Sequence, residues 1–355
     1  MSDRDNYESA ATAADAKVAQ FEDTRTGLVG RIQSTLHATP SLVPLIVLVF
    51  SVILFGVLLG SRFFSPFAMT LILQQVQIVG VLAAAQTLII LTAGIDLSVG
   101  AIAVLCTVVM GKATFTFGIP APVSVAIGLA VGTGLGAISG FLVSRMKLPP
   151  FIVTLGMWQI VLAANYLYSA NETIRSQDIE ADAPFLQLLG GQMKFGGATF
   201  TYGVMLMIVL FVVLAYALRS TAWGRHVYAV GDDPEAAQLS GVNVHKTYMS
   251  VYMTAGFICA LAGWVMIGRF GSISPSATTG VIGNIQAITA VVIGGISLFG
   301  GRGSVAGALF GALIVGVFEL GLRMAGADPQ WTFMLIGVLI IAAVAVDQWI
   351  REVSA

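Results

Sequence analysis

The stretch LILQQVQIVGVLAAAQTLIILTAGIDLSVG, residues 71–100, decides the architecture. Its first part, 71–91, carries no charge and is as long as the roughly 20 helical residues that a bilayer core demands. The run then breaks at Thr92-Ala93-Gly94, passes an acid, Asp96, and resumes through Ser98 and Gly100 into a second apolar run. A charge at the bilayer centre costs about 2.5–3.5 kcal/mol on insertion scales, so Asp96 requires a partner or a wet cavity. Ser98 and the free N–H groups of a helix start supply one form of compensation. Two readings follow: a cap at the membrane edge, or a break whose residues Gly94, Asp96, Ser98 and Gly100 line or hinge a solute path.

Outward from this stretch the same apolar character recurs. Runs near 42–60, 99–116, 122–144, 151–169, 201–218, 249–269, 285–300, 303–323 and 331–349 bring the count to about ten spans, some of them short or broken. Of the 355 residues, 57% are hydrophobic and 10% charged, where soluble domains carry about 25% charged residues. The chain therefore reads as an all-α integral membrane protein. Its 40 glycines suit helices that approach closely in lipid better than the alternating strands of a barrel. The segment 1–41 is polar, and 351–355 forms a short tail. Between them, 42–350 is the transmembrane domain, with a mildly acidic external segment at 171–200 and a polar loop at 219–248. No signal peptide is visible at the N-terminus. With the N-terminus inside, eleven of the 17 Lys and Arg residues fall on the cytoplasmic side. The positive-inside rule then puts both termini and the 219–248 loop in the cytoplasm.

Glycine spacing marks the packing seams. Gly128, Gly132, Gly136 and Gly140 recur every four residues, as do Gly303, Gly307 and Gly311, and each series makes a smooth face for close helix contact. An echo links Gly94-Ile-Asp-Leu-Ser-Val-Gly100 with Gly295-Ile-Ser-Leu-Phe-Gly-Gly301, as a possible internal repeat of the kind found in transporters.

The polar island from Tyr228 to Lys246 contains a compact helix signal. Asp232 or Asp233 caps it, Pro234 opens it, Glu235, Ala236 and Ala237 continue it, and Gly241 ends it. So short a helix is marginal on its own. It reads either as a docking element for another subunit or as an ordinary capped loop helix. Gln75, Gln159 and Asn165, within apolar runs, have the amide character of a surface that passes a hydroxylated solute; hydrogen-bonding glue between helices uses the same residue types. Glu319 and Arg323, at i,i+4 spacing, are placed to pair on one helix.

Enzyme chemistry finds no constellation. His37, His226 and His245 lack ligand spacing, Cys106 and Cys259 sit in apolar runs, and Lys112 lacks the glycine frame of a phosphate loop. No catalytic or metal residues are assigned, and no ATP site is expected in this chain. With a net charge of −1, nothing points to nucleic acid.

Three stretches together carry a resemblance: residues 92–100, the sequence AVGDDPEAAQLSGV at 229–242, and IGGISLFGGRGSVAG at 293–307. They resemble the permease subunits of bacterial sugar ABC importers of the ribose, xylose and fructose type, over about residues 42–350. Asp232 departs from the Gly or Asn common there. The resemblance implies a homodimeric pore in the bacterial inner membrane and a cytoplasmic ATPase that holds ATP and Mg. It also implies a periplasmic sugar-binding protein, and a coupling helix around Asp232, Asp233, Pro234, Glu235, Ala236, Ala237 and Gly241. A proton- or ion-coupled secondary transporter, with Asp96 and Glu319 as relays, and a nucleoside permease are the alternatives.

Overall fold

A computed structural model describes residues 41–195 and 197–352. The N-terminal polar segment 1–40 and the last residues of the tail lie outside the described residues. Thirteen α-helices are numbered here in chain order. The longer helices are α1 (Leu42–Leu59), α2 (Pro66–Leu91), α3 (Val99–Phe115), α4 (Ala121–Ser144), α5 (Pro150–Ser169), α7 (Tyr202–Ser220), α10 (Val244–Phe270), α11 (Ala277–Ile293), α12 (Val305–Met324) and α13 (Pro329–Glu352). Seven are long and apolar enough to cross a membrane, and α3, α11 and part of α13 are shorter apolar helices. The protein is an all-α integral membrane protein. Its outward faces carry Ile46, Val57, Leu167, Val212 and Ile341, all exposed and all suited to lipid.

The interior is organised by α2 and α10, whose middle turns are buried. Against α10 lies α4, at backbone contact. A Cβ placed on Gly132 would meet the Gly256 carbonyl oxygen at 2.5 Å, and one on Gly136 would collide with the Tyr252 carbonyl oxygen. Gly128 faces Met110 and Gly140 faces Tyr252. Between lipid-immersed helices such approach supplies the van der Waals contact that water does not drive. Gly307 and Gly311 of α12 likewise press on Gly294 and Ala290 at the end of α11.

Four expectations need correction. The span read at 285–300 is displaced: α11 begins at Ala277, where Ser276 accepts the Thr279 N–H, and ends at Ile293. Polar residues in its first turns hid its start, and the apolar-looking 294–304 is an irregular joint with positive φ at Gly295, Gly300, Gly301 and Gly303. Gly303 is consequently no member of the packing series; it sits against Ile296, outside the helix. Asp232 is the last residue of a helix, α8 (Ala222–Asp232), which sequence reasoning missed because its apolar face is short. Finally, the 171–200 segment is built rather than bare. It contains α6 (Ser176–Asp182), a 3-10 turn at Pro184–Gly190 and an antiparallel pair, β1 (Gln192–Phe195) and β2 (Ala198–Thr201). Gln187 donates to the Gly271 carbonyl (2.7 Å), Trp264 donates to the Leu186 carbonyl (3.1 Å), and Ile174 and Ile273 exchange backbone bonds. These contacts clamp the segment onto the end of α10.

The contacts also distinguish the two ends of the bundle. One end holds the 171–201 segment, tied to α2 by the Thr199 N–H on Thr70 Oγ1 (2.8 Å) and to α3 by the Lys112–Glu172 ion pair (2.5 Å). The opposite end holds the two joints, 92–98 and 294–304, together with α8 and the short helix α9 (Pro234–Leu239).

Candidate functional site

Helix α9 is positioned by its caps. Asp233 leaves helical geometry and its Oδ1 accepts from the N–H groups of Glu235 (2.8 Å) and Ala236 (3.0 Å). Pro234 opens the helix without a donor to satisfy, and Gly241 leaves it at φ 87°. Ala237 turns inward and is buried, while Glu235, Gln238 and Leu239 face out, Leu239 with 91% of its surface exposed. Leu239 thus lies open beside the Glu235 carboxylate and the Gln238 amide.

Behind α9, backbone meets backbone. The Leu91 carbonyl, at the end of α2, accepts from the Gly301 N–H at 3.0 Å. Gly231, one turn before α9, lies so close that a Cβ there would collide with that carbonyl and stand 2.7 Å from the Gly301 nitrogen. A Cβ on Gly301 would meet Asp232 at 2.8 Å, and one on Gly300 would meet Ala93 at the same distance. Tyr228 of α8 donates to the Gly303 carbonyl (3.0 Å). The three stretches singled out in the sequence, 92–100, 229–242 and 293–307, thus converge on one contact.

The first joint is held from every side. Asp96 Oδ1 accepts from both the N–H and the Oγ of Ser98 at 2.6 Å, a turn that leads into α3. Gln86 of α2, with its amide oriented as the hydrogen bonds require, pairs with the backbone N–H (3.2 Å) and C=O (3.1 Å) of Asp96. Thr154 of α5 donates to the Ile95 carbonyl (2.9 Å), Asn284 of α11 to the Leu97 carbonyl (3.0 Å) and Tyr248 of α10 to the Thr92 carbonyl (3.5 Å). Buried irregular backbone is tolerated in a membrane protein where other protein groups satisfy it, and four helices do so here. Asp96 itself is 3% exposed. Asn284 stands just before the apolar run read at 285–300, so hydropathy alone did not mark it.

The pathway candidates are not brought together. Gln159 is exposed on the outside of α5. Asn165 is buried, donates to the Pro275 carbonyl (3.2 Å) and leaves its Oδ1 without a partner. It borders a gap of about 10 Å³ between α3, α5 and α11, room for about one water and no sugar. Gly94 lies under the Tyr252 hydroxyl, and Gly100 meets the Gly280 carbonyl at the crossing of α3 and α11. Gln75 donates to Glu319 Oε2 (3.0 Å), which also accepts from Gln286 (3.2 Å), while Glu319 Oε1 accepts from Arg323 (3.0 Å). Among the described residues, no three His, Cys, Asp or Glu gather as metal ligands.

A multi-pass helical bundle, two of whose interhelical joints touch a short outward-facing helix through backbone, fits the class that the relatives define: a membrane permease. The family model for the branched-chain amino acid transport system / permease component matches residues 68–344, and the chain belongs to this family. Fructose import permease protein FrcC of Rhizobium meliloti is 63% identical over 98% of this chain and 96% of its own length. Ribose import permease protein RbsC of Escherichia coli K12 is 35% identical over 81% and 88% respectively. The autoinducer 2 import system permease protein LsrC of Photorhabdus luminescens is 32% identical over 84% and 87%. No solved structure matches the chain.

Proposed function

We propose that this chain is the membrane-spanning subunit of an ATP-driven importer that carries a monosaccharide, fructose foremost, across the bacterial inner membrane. The contact of Leu91, Gly231 and Gly301 is the observation that carries the reading. It gives any protein that grips α9 a direct mechanical hold on both joints. The high identity to a fructose import permease over nearly the whole chain supports the cargo.

In this reading the subunit is not an enzyme. A separate cytoplasmic ATPase binds ATP and Mg, and a periplasmic binding protein delivers the sugar. A second copy of the chain completes the pore, and both termini are cytoplasmic. The coupling surface comprises Asp232, Asp233, Pro234, Glu235, Ala236 and Gly241, with Leu239 added by its exposure. Ala237, being buried, serves as its anchor. Closure of the ATPases shifts α9, and Gly231 passes the shift to the Leu91 and Gly301 backbones without an intervening flexible side chain.

Proteoliposomes holding this chain, its ATPase and sugar-loaded binding protein test the reading. ATP-dependent fructose uptake is expected, and Leu239→Arg abolishes both uptake and ATPase co-purification while the chain still inserts. Uptake that needs no ATPase and collapses with a proton gradient overturns the reading in favour of a secondary transporter.

A further inference from the structure

Far from the joints, at the end that carries the 171–201 segment, a cavity of about 410 Å³ opens between α11, α12 and α13. Its walls are apolar, with Ile285, Phe333 and Ile336, but Gln286, Glu319 and Arg323 also line it. From α2, Gln75 reaches the same carboxylate, so a hydrogen-bonded cluster drawn from three helices holds the Glu319 that lines the cavity. Ionisable side chains within an apolar helix of a membrane protein are costly and mark functional sites by default. The volume lies within the range of small-molecule sites.

We infer that this cavity is a transient binding site for the neutral monosaccharide on its way into the pore. The inference rests on the importer reading and names the residues that touch the cargo. Three properties select such a ligand. Glu319 and Arg323 neutralise one another, so an anion meets the carboxylate and a cation meets the guanidinium, whereas a neutral solute meets neither penalty. A carboxylate offers about four acceptor sites and a guanidinium five donors, and three donors reach Glu319 here. Donors and acceptors therefore remain side by side, as hydroxyl groups that both donate and accept require. Phe333, with 61% of its surface exposed, offers a ring face to the C–H side of a sugar. The apolar remainder of the walls keeps the affinity low, which lets the sugar leave.

Thiol labelling tests the site. The two native cysteines, Cys106 and Cys259, are buried and stay silent toward a polar thiol reagent. Thr332→Cys or, should that variant fail to insert, Ile340→Cys puts a reactive thiol on the cavity wall. In right-side-out vesicles holding the complete transporter, fructose is expected to slow labelling by the factor 1 + [sugar]/Kd, about fivefold at four times Kd. Inorganic phosphate is expected to have no effect, and Glu319→Gln in the same background to remove the protection. Labelling unaffected by fructose while ATP-driven uptake persists overturns the site and leaves the importer reading standing. Labelling blocked with or without sugar, with phospholipid recovered from the purified protein, overturns it in favour of a lipid slot. Absence of ATP-driven uptake is the separate result that removes the importer reading itself.

Discussion

The two joints, 92–98 and 294–304, share an echo of sequence and are held in opposite ways. The first is gripped by side chains from outside it: Gln86, Thr154, Tyr248 and Asn284 each bond to a backbone group of the break. The second is largely closed by its own backbone, with Ser297 N–H on the Arg302 carbonyl (3.1 Å) and Gly300 N–H on the Ser297 carbonyl (3.1 Å), and glycines in positive φ make the turns. The second is also tied outward, through the Gly301 N–H to the Leu91 carbonyl and through Tyr228 to the Gly303 carbonyl, so the two differ in how much of their hold comes from distant side chains. Gly231 and Gly301 link the self-closed joint to α8, and the Leu91 carbonyl links it to α2.

The largest expected effect breaks that link. Gly231→Val places two methyl groups where even a Cβ collides with the Leu91 carbonyl, and overpacking of this kind costs about 1–3 kcal/mol. Sugar uptake per inserted molecule should fall by well over half, because the contact can no longer close. Membrane level, read by immunoblot, should hold. Uptake at wild-type rate would show that α8 and the joints move independently.

Next comes the grip on the first joint. Gln86→Leu strands the N–H and C=O of Asp96 in a buried site, and unsatisfied buried groups cost about 1–3 kcal/mol each. Thermal unfolding in detergent should show a lowered midpoint. Asn284→Ala, which frees only the Leu97 carbonyl, should cost less than Gln86→Leu. If the two variants unfold alike, the four-sided grip is not what stabilises the break. Gly136→Leu, on the seam against Tyr252, should reduce the amount of folded protein without altering which solute is carried.

The smallest effect lies at the opposite end. Lys112 hydrogen-bonds Glu172 and adds its positive charge, and together these hold the Glu172 carboxyl below its ordinary range. Because the folded-state value is depressed, the pair contributes stability above the ordinary carboxylate range. That contribution is lost as pH falls through the depressed value. Exposure of Glu172 makes it small. Glu172→Gln should flatten the acid side of the stability profile slightly and leave the neutral side almost unchanged; an unaltered acid limb removes the pair from the account.

Much of the fold was legible because lipid enforces it. Charge-free runs of spanning length had one outcome available, and the four-residue glycine period of α4 announced a face for close contact, here filled by α10. Capping made α9 readable to within a residue or so, since Asp, Pro and Gly each act on their own neighbours. Three features resisted. Helix α11 begins among polar residues that hydropathy alone counts as loop. The β1–β2 pair is stabilised by its mutual register and by Thr70, neither visible locally. Leu239 looked like an ordinary apolar residue until its 91% exposure turned it into a surface.

By itself, the sequence determined that this chain crosses a membrane repeatedly, that an apolar run ends at Thr92-Ala93-Gly94, and that a capped helix lies between spans. Each is a matter of transfer cost or of hydrogen bonds between near neighbours. Only the tertiary structure decided that the two joints and Gly231 meet at one backbone contact, that four distant side chains bind the first joint, and that Gln286, Glu319 and Arg323 face one cavity while Gln75 holds Glu319 in place. Those facts join residues scattered along the whole chain, and they follow from which helices pack together rather than from the character of any one of them.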